Sequence, residues 1–232
     1  MTIGKAITID CAGQPGSILV PASSVGIQVS AGSSDVITLR NLSIDGGGNA
    51  GNFGISYTAG AAVHLENIHV FGIANTCVSM NMTASALLTV DNATISDCGG
   101  DGIFVKTNTG TAVANISNTR ISKTAIGVGA DNGSRITITN STIYFNNFGV
   151  NQAAGVAALG STVTAVGSTF GYSSTAALQS FSGSNFILGF GNNFVNDVLV
   201  FNPNGGNIFT GSDNNNSGST AGTANGGSLP KI

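Results

Sequence analysis

One asparagine recurs along this chain between two short alternating runs, and its spacing limits the fold more than any other feature. The runs are Ile37-Thr-Leu-Arg-Asn-Leu-Ser-Ile44, Val63-His-Leu-Glu-Asn-Ile-His-Val70, Leu88-Thr-Val-Asp-Asn-Ala-Thr-Ile95, Ala114-Asn-Ile-Ser-Asn-Thr-Arg-Ile121 and Ile136-Thr-Ile-Thr-Asn-Ser-Thr-Ile143. They bring Asn41, Asn67, Asn92, Asn118 and Asn140 into one phase; a degenerate copy puts Gly167 there, and the last puts Asn192. The steps are 26, 25, 26, 22, 27 and 25 residues. Such self-similarity marks a repeat architecture. On both sides of the asparagine apolar and polar residues alternate with period two, the pattern of a half-buried strand. The phase slips by one at the asparagine itself. Two strands meeting at a corner explain the slip, because asparagine and glycine tolerate the left-handed conformation of a tight bend.

About ten residues beyond each corner lies a second motif: Gly26-Ile-Gln-Val, Gly54-Ile-Ser-Tyr, Cys77-Val-Ser-Met, Gly102-Ile-Phe-Val and Ala125-Ile-Gly-Val. Each repeat therefore holds three short strands separated by Gly-, Asn- and Asp-rich turns, and no stretch has helical period with caps. One repeat cannot bury its apolar face alone, whereas stacked repeats give each strand a parallel neighbour about 4.8 Å away. The predicted fold is an all-β solenoid of about eight turns with inward Ile, Leu and Val and an asparagine ladder at one corner. Stacked amides satisfy one another in a dry wall. The triplets at Asn41, Asn92 and Asn140 are thus expected to be buried ladder members rather than glycosylation acceptors. The solenoid is assigned to residues 1–201. Residues 202–232, rich in Gly, Asn and Ser, are expected to form a tail or cap, with Phe186, Phe190, Phe194, Phe201 and Phe209 plugging the C-terminal end of the core.

Composition narrows the function classes. Asp, Glu, Lys and Arg supply 17 of 232 residues, fewer than the 26 asparagines, and the net charge is −3. A chain 41% hydrophobic is not a disordered polar tail. Seven scattered cations make no basic stripe for nucleic acid. No apolar run approaches the roughly 18 residues of a membrane-spanning helix. Low charge suits a solenoid, since like charges stacked at strand spacing repel.

The 25-residue period, the Leu-x-Asn-Leu-x-Ile corner and the Gly-Ile-x-Val strand resemble right-handed parallel β-helices of the pectin-lyase-like superfamily. The opening Ala6-Ile-Thr-Ile-Asp-Cys11, with Val36–Gly46 and Val63–Asn67, is most similar to uncharacterised, exported bacterial members. The resemblance spans about residues 3 to 200. It implies an extracellular or cell-surface protein, and a polysaccharide as partner. Members of this group begin with an extra segment carrying a signal sequence and an N-terminal cap, whereas here strand sequence starts almost at once, at Ile3 to Ile9. An open first turn is expected to pair end to end with another copy.

The superfamily's enzymes place clustered carboxylates, calcium and a basic residue on the Gly-Ile-x-Val face. The outward positions of that face here read Gln28, Ser56, Ser79, Phe104, Gly127 and Gln179, none ionisable. The nearest catalytic candidates are Asp97, Asp101 and Lys106, with turn capping and solvation as the simpler role. Calcium enters only under a lyase alternative, since it wants six to eight oxygens; no other cofactor and no metal set is expected. A second candidate patch, for ligand binding, stacks Arg40, Glu66 and Asp91 immediately before successive corner asparagines, with His64 and His69 on the same wall. A solvated exterior is the simpler role there, and an exposed Arg–Glu pair contributes little. Outward Thr columns broken by His64, His69 and Arg120 do not make an ice-binding array. The three cysteines, Cys11, Cys77 and Cys98, are expected to be small, buried and reduced. A bridge between Cys77 and Cys98, on adjacent turns at different phases, stays open. The functional expectation is an exported, non-catalytic scaffold contacting polysaccharide. The alternative is a lyase or glycoside hydrolase acting on acidic glycans.

Overall fold

A computed structural model describes residues 1–14, 16–48, 50–152, 160–181 and 186–229. Runs of Ile, Val and Thr, whose branched side chains pack well on a pleated surface, form three walls of parallel strands. The first wall stacks Ile7–Asp10, Val36–Arg40, Ala62–Glu66, Ala86–Asp91, Ala112–Ser117, Ser134–Thr139, Thr162–Val166, Phe186–Phe190 and Asn207–Gly211, and ends with Ser228–Leu229. Each of these strands pairs in parallel with the equivalent strand one turn away. From Ile7–Asp10 to Asn207–Gly211 the chain winds eight times.

The other two walls differ from the expectation of three separate strands per turn. In the middle turns they fuse into single bent strands, His69–Met82, Thr94–Thr107 and Arg120–Ala130. Elsewhere they separate, as in Leu42–Asp45 and Gly51–Ala59, or Thr169–Gly171 and Ala176–Phe181. Gly99 and Gly100 absorb one such bend: a Cβ on Gly99 would lie 2.2 Å from the Ala74 carbonyl oxygen.

Inside, Ile37, Leu39, Val63, Leu65, Leu88, Val90, Ile136 and Ile138 are all at most 2% exposed. Each such side chain contributes roughly 1.5–3 kcal/mol relative to exposure. Phe194 is buried between Phe170 and Phe201, at ring distances of 5.6 and 5.5 Å. Of the other expected plugging residues, Phe190, Phe201 and Phe209 are half-buried, and the Phe186 side chain lies outside the described residues.

The first corner holds Asn41, Asn67, Asn92, Asn118, Asn140 and Gly167 at φ between 48° and 58°. The last expected member is off by one: Gly191, at φ 57°, occupies the corner. Asn192 follows it, turned inward and fully buried. The register confirms this, since Val166 faces Phe190 and Thr169 faces Asn193. The ladder also lies outside rather than in a dry wall. Asn67, Asn92, Asn118 and Asn140 are exposed, because a tight two-strand corner turns its apex side chain toward solvent. Asn67 donates to Asn41 at 2.6 Å and Asn92 to Asn67 at 3.4 Å, while Asn41 and Asn118 donate instead to the carboxylates of Asp10 and Asp91.

Two further departures concern the C-terminal segment and the cysteines. The Gly/Asn/Ser-rich segment after residue 201 continues the helix: Phe201–Asn204, Asn207–Gly211 and Asn215–Ser217 pair with Ala176–Phe181, Phe186–Phe190 and Asn193–Val195. Its polar residues look like linker but supply bonds to the turn before, as when Asn214 Nδ2 donates to the Gly189 carbonyl at 2.9 Å. And Cys77 and Cys98 form a disulfide with Cα atoms 5.8 Å apart, leaving only Cys11 reduced. They differ in phase along the strand, but both point inward on either side of a bend, so the core brings them together.

Candidate functional site

The three catalytic candidates lie on one bent strand, Thr94–Thr107, and each turns to different company. Asp97 sits in a left-handed bend at φ 55°, exposed, with Lys123 of the next turn 3.6 Å away. Lys106 lies 3.2 Å from Asp131. Asp101 follows the Gly99–Gly100 bend and lies over Gly129, where an added Cβ would meet its Oδ2 at 2.9 Å and the Phe104 ring at 3.1 Å. Burial there pushes the Asp101 carboxyl up to about 7. The Gly99–Gly100 bend separates Asp97 from Asp101, and five residues at about 3.3 Å each separate Asp101 from Lys106.

The outward column on the Gly-Ile-x-Val face differs from the expected one at two places, a shifted member in the fifth copy and an added one, Asn151, after it. Phe104 faces Gly129, not Gly127, so the fifth copy of the motif is Gly127-Val-Gly-Ala rather than Ala125-Ile-Gly-Val. A slip of two residues preserves strand alternation, which is why both alignments look alike in sequence. The column runs Gln28, Ser56, Ser79, Phe104, Gly129, Asn151 and Gln179.

The second patch stacks as its spacing implies: Asp10, Arg40, Glu66, Asp91 and Ser117 face one another in sequence on the first wall. Its members engage each other. Arg40 Nε lies 2.6 Å from Glu66 Oε2. His64 Nδ1 lies 2.7 Å from the Thr89 hydroxyl, on the column two strand residues away from that pair. Asp91 accepts from Ser117 at 2.6 Å and from Asn118 at 2.8 Å, and these bonds hold its carboxyl below the usual range. Asp10 is held low likewise, first by Asn41 and then by the Ala12 N–H. His69, one wall on, stacks on Phe71 at 4.4 Å.

A third constellation escaped the sequence reading. Five residues after each first corner from Asn67 on comes a second left-handed column: Gly72, Asp97, Lys123, Phe145, Tyr172 and Asn196, at φ between 52° and 67°. Phe145 and Tyr172 are 52% and 47% exposed and stack at 4.7 Å with planes 23° apart. Tyr144 meets Phe145 edge-on at 5.0 Å, and the Arg120 guanidinium lies 4.6 Å from the Tyr144 ring centre. Beside them runs an open groove of about 340 Å³ lined by Arg120, Thr142, Tyr144, Thr169, Gly171, Tyr172 and Val195. The only sequence signal was the pair of aromatic residues at positions 144 and 145, followed one turn later by Tyr172. Among the described residues no group of three or more His, Cys, Asp or Glu is arranged to hold a metal.

No curated protein matches the chain in sequence. Its fold superposes on the crystal structure of pectate lyase Pel9A with a TM-score of 0.65 and 14% identity, covering 98% of this chain. The chain spans 64% of that protein's length, and at this identity the likeness is one of fold. Residues 76–228 match the family described as "Right handed beta helix region". Parallel walls wound eight times, left-handed corners in register and that match together make this chain a member of the right-handed β-helix family.

Proposed function

We propose that this protein is an exported β-helix scaffold that contacts polysaccharide without turning it over. The observation that carries the reading is that two of the three catalytic candidates are each committed to an opposite charge on the next turn, Asp97 to Lys123 and Lys106 to Asp131, as Arg40 is to Glu66. The lyase-like fold supports a polysaccharide as partner, and the Cys77–Cys98 disulfide supports an oxidising, extracellular setting. On the same reading the N-terminal turn serves self-association. Its strands Ile7–Asp10 and Gly16–Leu19 each have one neighbour, and Ile7 and Leu19 are 40% and 69% exposed. Light scattering at rising concentration should show assemblies larger than one chain; a strict monomer would remove that element.

One observation favours a second reading. A carboxyl that titrates near neutrality, as Asp101 does, suits acid–base chemistry on an acidic glycan. The two readings part in one assay, with pectate and alginate as substrates, with and without calcium. The scaffold reading expects no unsaturated or reducing-end product from either. Product formation abolished by Asp101→Asn would replace it with the lyase or hydrolase reading.

A further inference from the structure

The left-handed column at the second corner shows what the backbone asks for and what it does not. Gly72 and Asn196 are the residues that adopt this conformation at least cost. Phe145 and Tyr172 adopt it too, at φ 54° and 56°, although a bulky side chain there costs of order 1–3 kcal/mol. Nor does the core need them, since about half of each ring faces solvent. Two rings are therefore held out from the wall, at an energetic cost, beside a groove containing hydroxyls and a guanidinium.

We propose that this groove binds a neutral, β-linked glycan of gluco-configured sugars, with pyranose faces on Tyr172 and Phe145 and sugar hydroxyls at Arg120, Thr142 and Thr169. The inference rests on the polysaccharide-contact reading and gives it a site. The chemistry of the surface selects the class. An all-equatorial pyranose presents a flat face of C–H groups, which fits the negative face of an aromatic ring. Gly171, between Tyr144 and Val195 in the outward column, leaves a notch where a side chain would stand. The charge balance points away from a polyanion. Arg120 lies over the Tyr144 ring, the neighbouring Lys123 is paired with Asp97, and the chain carries −3 overall.

The tyrosines make the test direct. The chain has no Trp and three Tyr, of which Tyr57 is fully buried while Tyr144 and Tyr172 line the groove. Cellohexaose, chitohexaose and hexagalacturonate are titrated into the protein, with tyrosine emission and calorimetry as readouts. The expected result is that the two neutral hexamers bind and change the emission. Tyr172→Gly and Phe145→Gly should each weaken them at least tenfold while leaving the melting temperature unchanged or higher, because glycine relieves the bend. Tyr172→Asn, copying the next turn, repeats the test with a residue the corner already accepts. Hexamer binding that survives these substitutions overturns the site but leaves the polysaccharide reading standing. Binding of hexagalacturonate alone overturns the sugar class. If no hexamer binds, this inference and the reading beneath it both fall.

Discussion

The two halves of the helix solve the same corner in opposite ways. In the N-terminal turns the residue just past the first corner is apolar and buried: Leu42, Ile68, Ala93. From the fifth turn on, the same column reads Thr119, Ser141, Ser168, Asn192 and Asn214. Each side-chain oxygen in it accepts the backbone N–H one turn earlier, at 2.7–3.4 Å. The second corner repeats the change. Ile73 and Cys98 give way to Thr124, Asn146, Ser173 and Asp197, with Thr124 N–H donating to Asn146 and Ser173 N–H to Asp197, both at 2.9 Å. Burial pushes the Asp197 carboxyl up, against the bonds from Ser173 and Ser219, toward the protonated form that mimics Asn146. The N-terminal half relies on apolar contact, a disulfide and an exposed amide row, whereas the C-terminal half relies on buried hydrogen bonds that each require their partner.

The largest test of this contrast removes the disulfide. Cys77→Ala with Cys98→Ala should cost about 3 kcal/mol by loop entropy. The loss should appear in hydrogen exchange of Thr94–Thr107 and its neighbours before it reaches the C-terminal turns. Next is Asn192→Leu. It keeps the branching and the number of heavy atoms but strands the Ser168 N–H and the Ala165 carbonyl, which Asn192 now serves at 3.0 and 2.8 Å. A loss of about 2 kcal/mol or more is expected in denaturant titration, against under about 1.5 kcal/mol for Ile68→Leu in the apolar half.

At the seam, Asp101→Asn tests burial by pH. Burial pushes the folded carboxyl up to about 7, against about 3.9 in the unfolded chain, so the native protein is favoured below about pH 4 and loses that advantage as pH rises through 7. The variant should match the parent at pH 4 and exceed it above pH 7, by on the order of 2 kcal/mol once partial exposure is allowed for. The smallest effect belongs to Asn67→Gly, which deletes an exposed ladder member but keeps the corner conformation. A change within about 0.5 kcal/mol is expected, and one as large as that of Asn192→Leu would erase the contrast.

What the sequence made legible follows the same physics. The first corner could be read because Asn and Gly, which take a left-handed bend at least cost, occupy it on every turn from Asn41 to Gly191. The second corner could not, because Gly72, Asp97, Lys123, Phe145, Tyr172 and Asn196 have no chemistry in common. Alternation distinguishes inside from outside but does not detect a slip of two, so the fifth Gly-Ile-x-Val copy was misplaced. Where Gly191, Asn192 and Asn193 stand together, side-chain identity alone could not say which takes the bend. The inner Thr/Ser/Asn column was hidden by its polarity, which looks like a solvated face until the register turns it inward. The site suffered likewise: the charged candidates stand in linear motifs, while the aromatic groove, assembled from four successive turns, has none.

The second corner carries one more consequence. Its backbone is clamped by the strands above and below, so the bend persists with Asp, Lys, Phe or Tyr in it, at a cost of order 1–3 kcal/mol for a bulky side chain. A library randomised at Asp97, Lys123, Phe145 and Tyr172 should stay largely folded, offering a column of rewritable positions at a fixed pitch. Nature, or an engineer, can change what such a protein recognises without renegotiating its architecture.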